Sequence, residues 1–421
     1  MGKLSCVISC PISTYSGYGA RSRDFVRAVR DSKPEWDIKI LSQRWGNTRM
    51  SYLEDHNDTE FTPLIVPQMT SQPDVWIQIT VPNEFQPIGK FNIGVTAGIE
   101  TTICAPQWIE GCNKMDLVVT SSEHSKTVFE VSKFEATQNN TKTQLGLSKP
   151  IEVLFEGFDQ NIYKKVEEVS LDLSEIEESF CFLVVGHWMQ GNFGHDRKNI
   201  GYTVKAFLES FKNKSNPPAL ILKTSQATSS YMDRAEIVKR VQAIKRSVKG
   251  RVPNVYILHG DLTDEQMNEL YNHSKIKSMV SLTKGEGFGR PLLEFSAVGK
   301  PIIASYWSGQ KDFLNKEFVK LIPGVLENVH PSAAVKDVLL PESQWFKPED
   351  AQVGRAFKDV HKNYKNYIVS GKRQARFVNE NFTYSKMVDR LNEILTKYSP
   401  NLPEQVQLVL PKLSLPKLQK I

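Results

Sequence analysis

Residues 276–305 read IKSMVSLTKGEGFGRPLLEFSAVGKPIIAS. The apolar run over 276–282 predicts a buried strand, and Lys284 to Gly289 predicts a tight glycine turn. The spacing over 290–299 predicts a helix. Pro291 sits in its first turn, where proline supplies the required φ and lacks only an N–H that the helix would leave unused. KPIIAS (300–305) then predicts a second strand. Strand, turn, helix and strand in this order form one βαβ unit of a parallel sheet.

The turn contains a chemical puzzle. The N–H groups of Gly287, Phe288 and Gly289 point out of a helix N-terminus, which favours an anion. A carboxylate, Glu286, precedes them, and a second, Glu294, follows eight residues later. A carboxylate beside a phosphate cradle repels its guest, so Glu286 is assigned to hydroxyl groups instead. Glu294, more than a turn into the helix, is placed to accept from a ribose diol, as the acidic residue of dinucleotide folds does.

The same alternation runs outward in both directions. On the N-terminal side, strands are predicted at 4–9, 37–42, 74–81, 91–98 and 116–121, with helices at 20–30 and 122–132. After IEVLFEGFD (151–159) comes an acidic stretch at 164–179 that reads as a linker. The pattern then restarts, with strands at 181–188, 219–225, 254–260, 276–282, 300–305 and 318–323. Helices at 198–213, 231–248, 264–273 and 290–299 separate them, and 348–398 is helical throughout. The tail LVLPKLSLPKLQKI (408–421) repeats LPKL, and its prolines predict an extended strap. The expectation is an α/β protein of two Rossmann-like, doubly wound domains facing each other across a cleft. Residues 1–158 form the N-terminal domain, 159–179 a linker and 180–382 the C-terminal domain. Residues 383–421 form a helix and tail that pack back on the first domain. Ligands of such domains sit at the carboxyl ends of the strands.

Composition narrows the class. The chain has 421 residues and no apolar run long enough to span a bilayer. Its start lacks a signal peptide's apolar core, so a soluble, cytoplasmic protein is expected. The five cysteines are scattered without CxxC spacing, which argues against zinc and a disulfide framework. His187, His195 and His259 are dispersed, so no metal site is expected. The net charge is +6; residues 1–150 carry 15 basic and 16 acidic residues, so the surplus lies beyond them. It concentrates at 205–251 and 355–376, either as solvated helix faces or as a footprint for a polyanion.

The string GEGFGRPLLEFSAVGKPIIAS resembles the E-x7-E signature of retaining, family-4 type glycosyltransferases with the GT-B fold. VVTSSEHSKTVFE (118–130), VLFEGFDQNIY (153–163), FLVVGHWMQGNFGHDRKNIGYTVKAFLESF (182–211), DLTDEQMNELYNHS (261–274) and PISTYSGYGARSRDF (11–25) resemble further parts of that family in order and spacing. The resemblance covers the chain to about residue 398. It implies that Glu294 holds the nucleotide ribose, and that Glu286 with Gly287, Phe288 and Gly289 holds the transferred sugar and diphosphate. Lys198 matches the family lysine, and Arg197 stands in for the family arginine, whose place His187 occupies after Gly186. Glu286, Arg197 and Lys198 are thus the expected catalytic residues. Donor contacts are expected from Gly17, Tyr18 and Gly19 of the N-terminal loop and from His187 and Lys223. The turn at Leu262 and Thr263 is expected to face the base, with Asp264 capping the following helix. The family's acceptor-side histidine has no counterpart, and Glu100 and Trp108 are the acceptor-facing candidates. Trp188 or Trp307 could stack on a base.

The resemblance also implies a nucleoside-diphosphate sugar as co-substrate, UDP in preference to GDP. It implies no cofactor, no metal and retained anomeric configuration. Residues 82–130 and 186–201, with the LPKL tail, are similar to glycosyltransferases of T-even-like and marine tailed phages. The expected acceptor is therefore 5-hydroxymethylcytosine in double-stranded DNA, receiving glucose or arabinose in the host cytoplasm. A cell-surface glycan, lipid-linked or protein acceptor is the alternative. An inactive sugar-nucleotide-binding protein is a third reading, against which the intact Glu286/Glu294 pair speaks. Asn139-Asn140-Thr141 fits a glycosylation sequon that an intracellular protein would not use.

Overall fold

The computed structural model describes residues 3–138, 141–226 and 230–398. The first domain contains β1 Ser5–Cys10, α1 Gly17–Ser32, β2 Asp37–Ser42, the short α2 Tyr52–Asp55, β3 Val75–Ile79, β4 Phe91–Thr96, α3 Pro106–Lys114, β5 Leu117–Thr120, α4 Glu123–Val131, the hairpin strands β6 Phe134–Gln138 and β7 Thr141–Leu145, and β8 Ile151–Val153. The second contains β9 Cys181–Val185, α5 Ile200–Phe211, β10 Ala219–Lys223, α6 Tyr231–Ser247, β11 Val255–Leu258, α7 Asp264–Asn272, β12 Ile276–Ser281, α8 Arg290–Val298, β13 Ile302–Ser305, β14 Lys320–Ile322, the hairpin strands β15 Gly324–Asn328 and β16 Gln344–Pro348, α9 Asp350–Lys362 and α10 Tyr364–Asn381. Helix α11, Tyr384–Tyr398, ends the described chain.

Each domain is built on a six-stranded parallel sheet, in order β2-β1-β3-β4-β5-β8 and β11-β10-β9-β12-β13-β14. Helices cover both faces, so the strands are apolar on both sides. Ile8 and Cys10 face one first-domain core while Val7 faces the other, and Cys181 and Leu183 face one second-domain core while Phe182 and Val184 face the other. In the second sheet the strand order reverses between β9 and β12. The loops leaving those two strands, 186–199 and 282–289, therefore flank the crevice where such sheets bind ligands.

The chain crosses between domains twice, side by side: the Phe158 N–H donates to Phe382 O at 3.2 Å, and Tyr384 N–H to Phe158 O at 2.8 Å. Beyond the second crossing, α11 seats Met387, Leu391, Ile394 and Leu395 in the first-domain core against α1. Residues 159–179 contain no strand or helix, yet they are fixed to the second domain. Tyr163, Leu173 and Ile176 are buried, and Asn268, Glu269 and Asn272 of α7 accept hydrogen bonds from the backbone of Lys164, Ser170, Leu171 and Val166. Asn139, Asn140 and the LPKL tail lie outside the described residues.

Candidate active site

Lys198 and Arg197 precede α5, at the end of the loop that leaves β9, and Glu286 lies in the loop that leaves β12. Both Glu286 oxygens lie 2.7 Å from Lys198 Nζ, and Oε2 lies 3.3 Å from an Arg197 guanidinium nitrogen. That guanidinium also donates to Gly285 O at 2.9 Å and lies 2.9 Å from a carboxylate oxygen of Glu100, in the first domain. Glu286 N–H donates to Ser308 Oγ at 2.8 Å, and Glu286 O accepts from Gly309 N–H at 3.0 Å, so the loop backbone is pinned from the β13 side. Burial works against every charge here. It would raise Glu286, but Lys198 and Arg197 outweigh it and hold the carboxyl below its usual range. Burial also lowers Lys198 against the pull of Glu286; two 2.7 Å contacts to one carboxylate favour the ionised pair. Burial opposes Arg197 too, yet Glu100 and Glu286 carry it above the ordinary value.

The glycines have a structural cause that the sequence did not display. A Cβ on Gly287 would stand 2.7 Å from Ala97 O, and one on Gly285 would stand 2.5 Å from Glu100 O. They allow the first domain's backbone to touch the loop. Gly289 adopts φ 104°, the left-handed region that glycine alone enters without cost, and starts α8. Phe288 is 2 % exposed and packs its ring on Phe313, so only its backbone can face a ligand. Among the described residues the N–H groups of Gly287, Phe288 and Gly289 have no backbone or side-chain acceptor, which leaves them available to an anion.

Glu294 lies in α8, 5 % exposed. Its Oε1 accepts from Arg290 Nε at 2.8 Å and its Oε2 from the Tyr271 hydroxyl at 3.3 Å. Burial lifts its pKa to about 7, with Arg290 and Tyr271 opposing and Asp264 assisting. Two carboxylates on one short segment therefore stand in opposite electrostatic states.

The remaining expected residues divide. His187 Nδ1 sits 3.0 Å from Ser225 Oγ, and burial, then Lys198, lower its pKa and favour the neutral ring. Lys223 Nζ donates to Gly260 O at 2.6 Å, and burial lowers it against Asp261. Both lie at the carboxyl ends of β9 and β10, on the side of Leu262 and Thr263. Gly17 opens α1 with an exposed backbone, while the Tyr18 hydroxyl ties α1 to the end of β4 through Thr96 Oγ1 at 3.0 Å and the Ala97 N–H at 3.1 Å. A Cβ on Gly19 would strike Thr14 O at 2.2 Å, so this glycine shapes the loop.

Three expectations need correction. Trp108 is 2 % exposed within the first-domain core and packs near Phe129 at 6.2 Å, so it faces no acceptor. The cap of α7 is Thr263, whose Oγ1 accepts from Gln266 N–H at 3.2 Å in a capping box, and Asp264 instead accepts from the Tyr163 hydroxyl at 3.0 Å. Neither tryptophan offers a free stacking face: Trp188 is buried in the core, and Trp307 donates to Glu100 O at 3.2 Å between His124 and Phe346. Part of the basic surplus also lies away from the site, although Lys223 and Arg240 of the 205–251 stretch do not. Lys245 and Arg246 close α6 and Arg251 follows near Asn213, beyond the end of α5. His361 packs on Phe180, just before β9, which places the α9–α10 junction with Lys362 and Lys365 at that same amino-terminal edge of the sheet.

Sequence reasoning also missed residues 324–348. The antiparallel hairpin β15–β16 and its loop form a strap that reaches three parts of the site. Phe346 N–H donates to Lys284 O at 3.0 Å, and the buried Lys284 Nζ donates to Glu327 at 2.6 Å, beside the Glu286 loop. Ser332 Oγ accepts from Asn192 N–H at 2.9 Å in the loop leading to Arg197, where His195 and His330 stack at 4.1 Å. Gln344 exchanges hydrogen bonds with Thr102 at 2.9 and 3.0 Å, and Val338 and Leu340 pack on the first-domain core. Proline, aspartate and histidine in 329–343 hid the hairpin's alternation.

Residues 236–340, which include the Glu286–Glu294 segment, match the family model of glycosyl transferases group 1. No curated protein matches the chain. Among solved structures, sucrose-phosphate synthase from Thermosynechococcus elongatus superposes with a TM-score of 0.63 at 12 % identity, over 94 % of this chain and 99 % of that one. HepE from Anabaena in complex with UDP and glucose gives 0.59 at 12 %, over 94 % and 100 %. A glycosyltransferase from Rickettsia africae gives 0.61 at 12 %, over 95 % and 100 %. The chain thus has the GT-B fold of two facing α/β domains, and its residues 236–340 are similar to glycosyl transferases group 1. Among the described residues, no helix is long and apolar enough to cross a membrane, and no group of three or more His, Cys, Asp or Glu could hold a metal ion.

Proposed function

We propose that this chain is a retaining, metal-independent glycosyltransferase that moves a sugar from a nucleoside-diphosphate sugar, a UDP-sugar of glucose or arabinose type, to a hydroxyl acceptor. The observation that carries the reading is Arg197 and Lys198 converging on Glu286 beside three amides that have no acceptor among the described residues, at the point where the second sheet reverses its strand order. A diphosphate bound there replaces Glu286 as partner of the two cations. Glu286 turns to the sugar hydroxyls, and Glu294 takes the ribose. The C1–O bond to the diphosphate breaks while the acceptor oxygen bonds C1, and the acceptor's proton passes to the leaving phosphate oxygen. The charge that develops on that oxygen meets Arg197, Lys198 and the amides of Gly287 to Gly289, preorganised and shielded from water. HepE, a structural neighbour, was solved with UDP-glucose, which supports the choice of donor.

For the acceptor, the sequence resemblance favours 5-hydroxymethylcytosine in DNA. Charge lends this proposal little support, because Lys245, Arg246 and the α9–α10 junction of the basic stretches sit at the edge of the second sheet opposite the cleft. The test is mass spectrometry of hydroxymethylated duplex DNA, and of soluble hydroxyl acceptors in parallel, after incubation with UDP-glucose, UDP-arabinose or UDP-N-acetylglucosamine. Sugar on the nucleoside supports the DNA reading, and sugar only on other acceptors replaces it. An absence of transfer or hydrolysis with any donor overturns the enzymatic reading. Undiminished transfer by Glu286→Gln overturns the site.

A further inference from the structure

Arg290, the first residue of α8, lies between the two domains, and the roles above give it no task. Its Nε donates to Glu294 Oε1 at 2.8 Å, and another nitrogen of the same guanidinium is ion-paired with Asp24 of α1, across the interface. The surroundings are crowded with titratable groups. Tyr271 and Asp264 of α7 face Glu294, Tyr163 bonds Asp264, and Arg23 of α1 lies over the Tyr52 ring beside Asp24. Arg290 is the cation that contacts the Glu294 carboxylate. Its planar fork holds one carboxylate on each side in a fixed geometry, which the point charge of a lysine does not impose.

Building on the assignment of Glu294 to the donor's ribose, we propose that Arg290 is a positioning residue: it aims the Glu294 carboxylate and tethers it to Asp24, so that one guanidinium couples grip on the donor to alignment of the two domains. Burial already brings Glu294 close to protonation at neutral pH, and Arg290 opposes this. Loss of the guanidinium therefore costs both the orientation of the carboxylate and its charge.

The test is calorimetric titration of UDP into the full chain between about pH 6 and 9. In the native protein UDP affinity falls as pH drops through about 7, where Glu294 takes up a proton. Arg290→Met weakens binding at neutral pH by about tenfold and moves the midpoint of this fall up by at least about one pH unit. Arg290→Lys, which keeps the charge, moves the midpoint less. Asp24→Asn leaves the midpoint at or below the native one, because a carboxylate near Glu294 is gone, and weakens UDP binding about threefold through loss of the tether. Native affinity and midpoint in Arg290→Met, or native affinity in Asp24→Asn, overturn the inference. If Arg290→Met does not fold, Arg290→Lys and Asp24→Asn decide by the same criteria. A native chain that binds no UDP overturns the donor assignment itself, whereas UDP binding that ignores Arg290 overturns only the role given to Arg290.

Discussion

Glu286 and Glu294 lie eight residues apart, are both buried, and live in opposite electrostatic worlds. Glu286 lies in a loop beside two cations, which hold it ionised with its pKa below the usual range. Glu294 sits in a helix against the Tyr271 phenol with one arginine, and its pKa rises to about 7. Burial is common to both, so the number of cations decides the difference. The first environment suits a site that must receive and release a dianionic diphosphate, since its cations are already assembled around a removable anion. The second suits a hydroxyl acceptor whose strength is tuned by one arginine and one phenol.

The largest effect should come from dismantling the first environment. Lys198→Met leaves Glu286 buried with one cation and removes stabilisation from the leaving phosphate. Transfer should fall by about 10²–10³-fold or more, measured as kcat/KM for a UDP-sugar. Glu286→Gln should lose transfer on the same scale, yet UDP alone should bind at least as tightly as to the native chain, because the carboxylate that competes for Lys198 and Arg197 is gone. Weaker UDP binding in Glu286→Gln would break the displacement picture.

A subtler contrast lies in stability. Glu294 has a folded pKa above that of the unfolded chain, so the native state binds the extra proton and stability declines as pH rises from about 4.5 to about 7. Glu286 has the opposite sign, and its contribution is lost as pH falls through its depressed folded value. Glu294→Gln should therefore flatten the pH dependence of Tm over that upper window, while donor KM rises; a Tm profile identical to the native one contradicts the raised pKa. Smaller still is the effect of the strap. Val338→Asp with Leu340→Asp should detach residues 329–343 from the first domain and raise donor KM about two- to fivefold through misplaced loops, with kcat changed less. Trp108→Phe should cost about 1–2 kcal/mol of stability and leave the kinetics of folded enzyme unchanged, since the ring lies in the core.

How far the sequence could be read follows from where the determinants lie. The Rossmann strands were legible because both faces of each sheet are covered, so central strands such as β9 and β10 are nearly continuous apolar runs. Glu286 was legible from local turn chemistry, whereas Lys198 and Arg197 came only through the family resemblance of residues 182–211. Contacts between domains were not. Nothing in GEGFG shows that Gly285 and Gly287 meet the backbone of Glu100 and Ala97, or that Arg290 reaches Asp24, 266 residues away in the chain. Trp108 was misread because an aromatic at a helix start looks the same from sequence whether it faces core or cleft. The basic stretches at 205–251 and 355–376 were read as one feature, but helix direction in a parallel fold carries much of that charge to the end away from the site.

The central claim is that Arg197 and Lys198 form the diphosphate site and that Glu286 occupies it until donor arrives. Calorimetric titration of UDP into the native chain, Lys198→Met and Glu286→Gln tests this most directly. The account predicts saturable binding to the native chain, binding lost or weakened by about two orders of magnitude in Lys198→Met, and binding kept or strengthened in Glu286→Gln. UDP binding that is absent from the native chain, or that is equal in all three proteins, would contradict it.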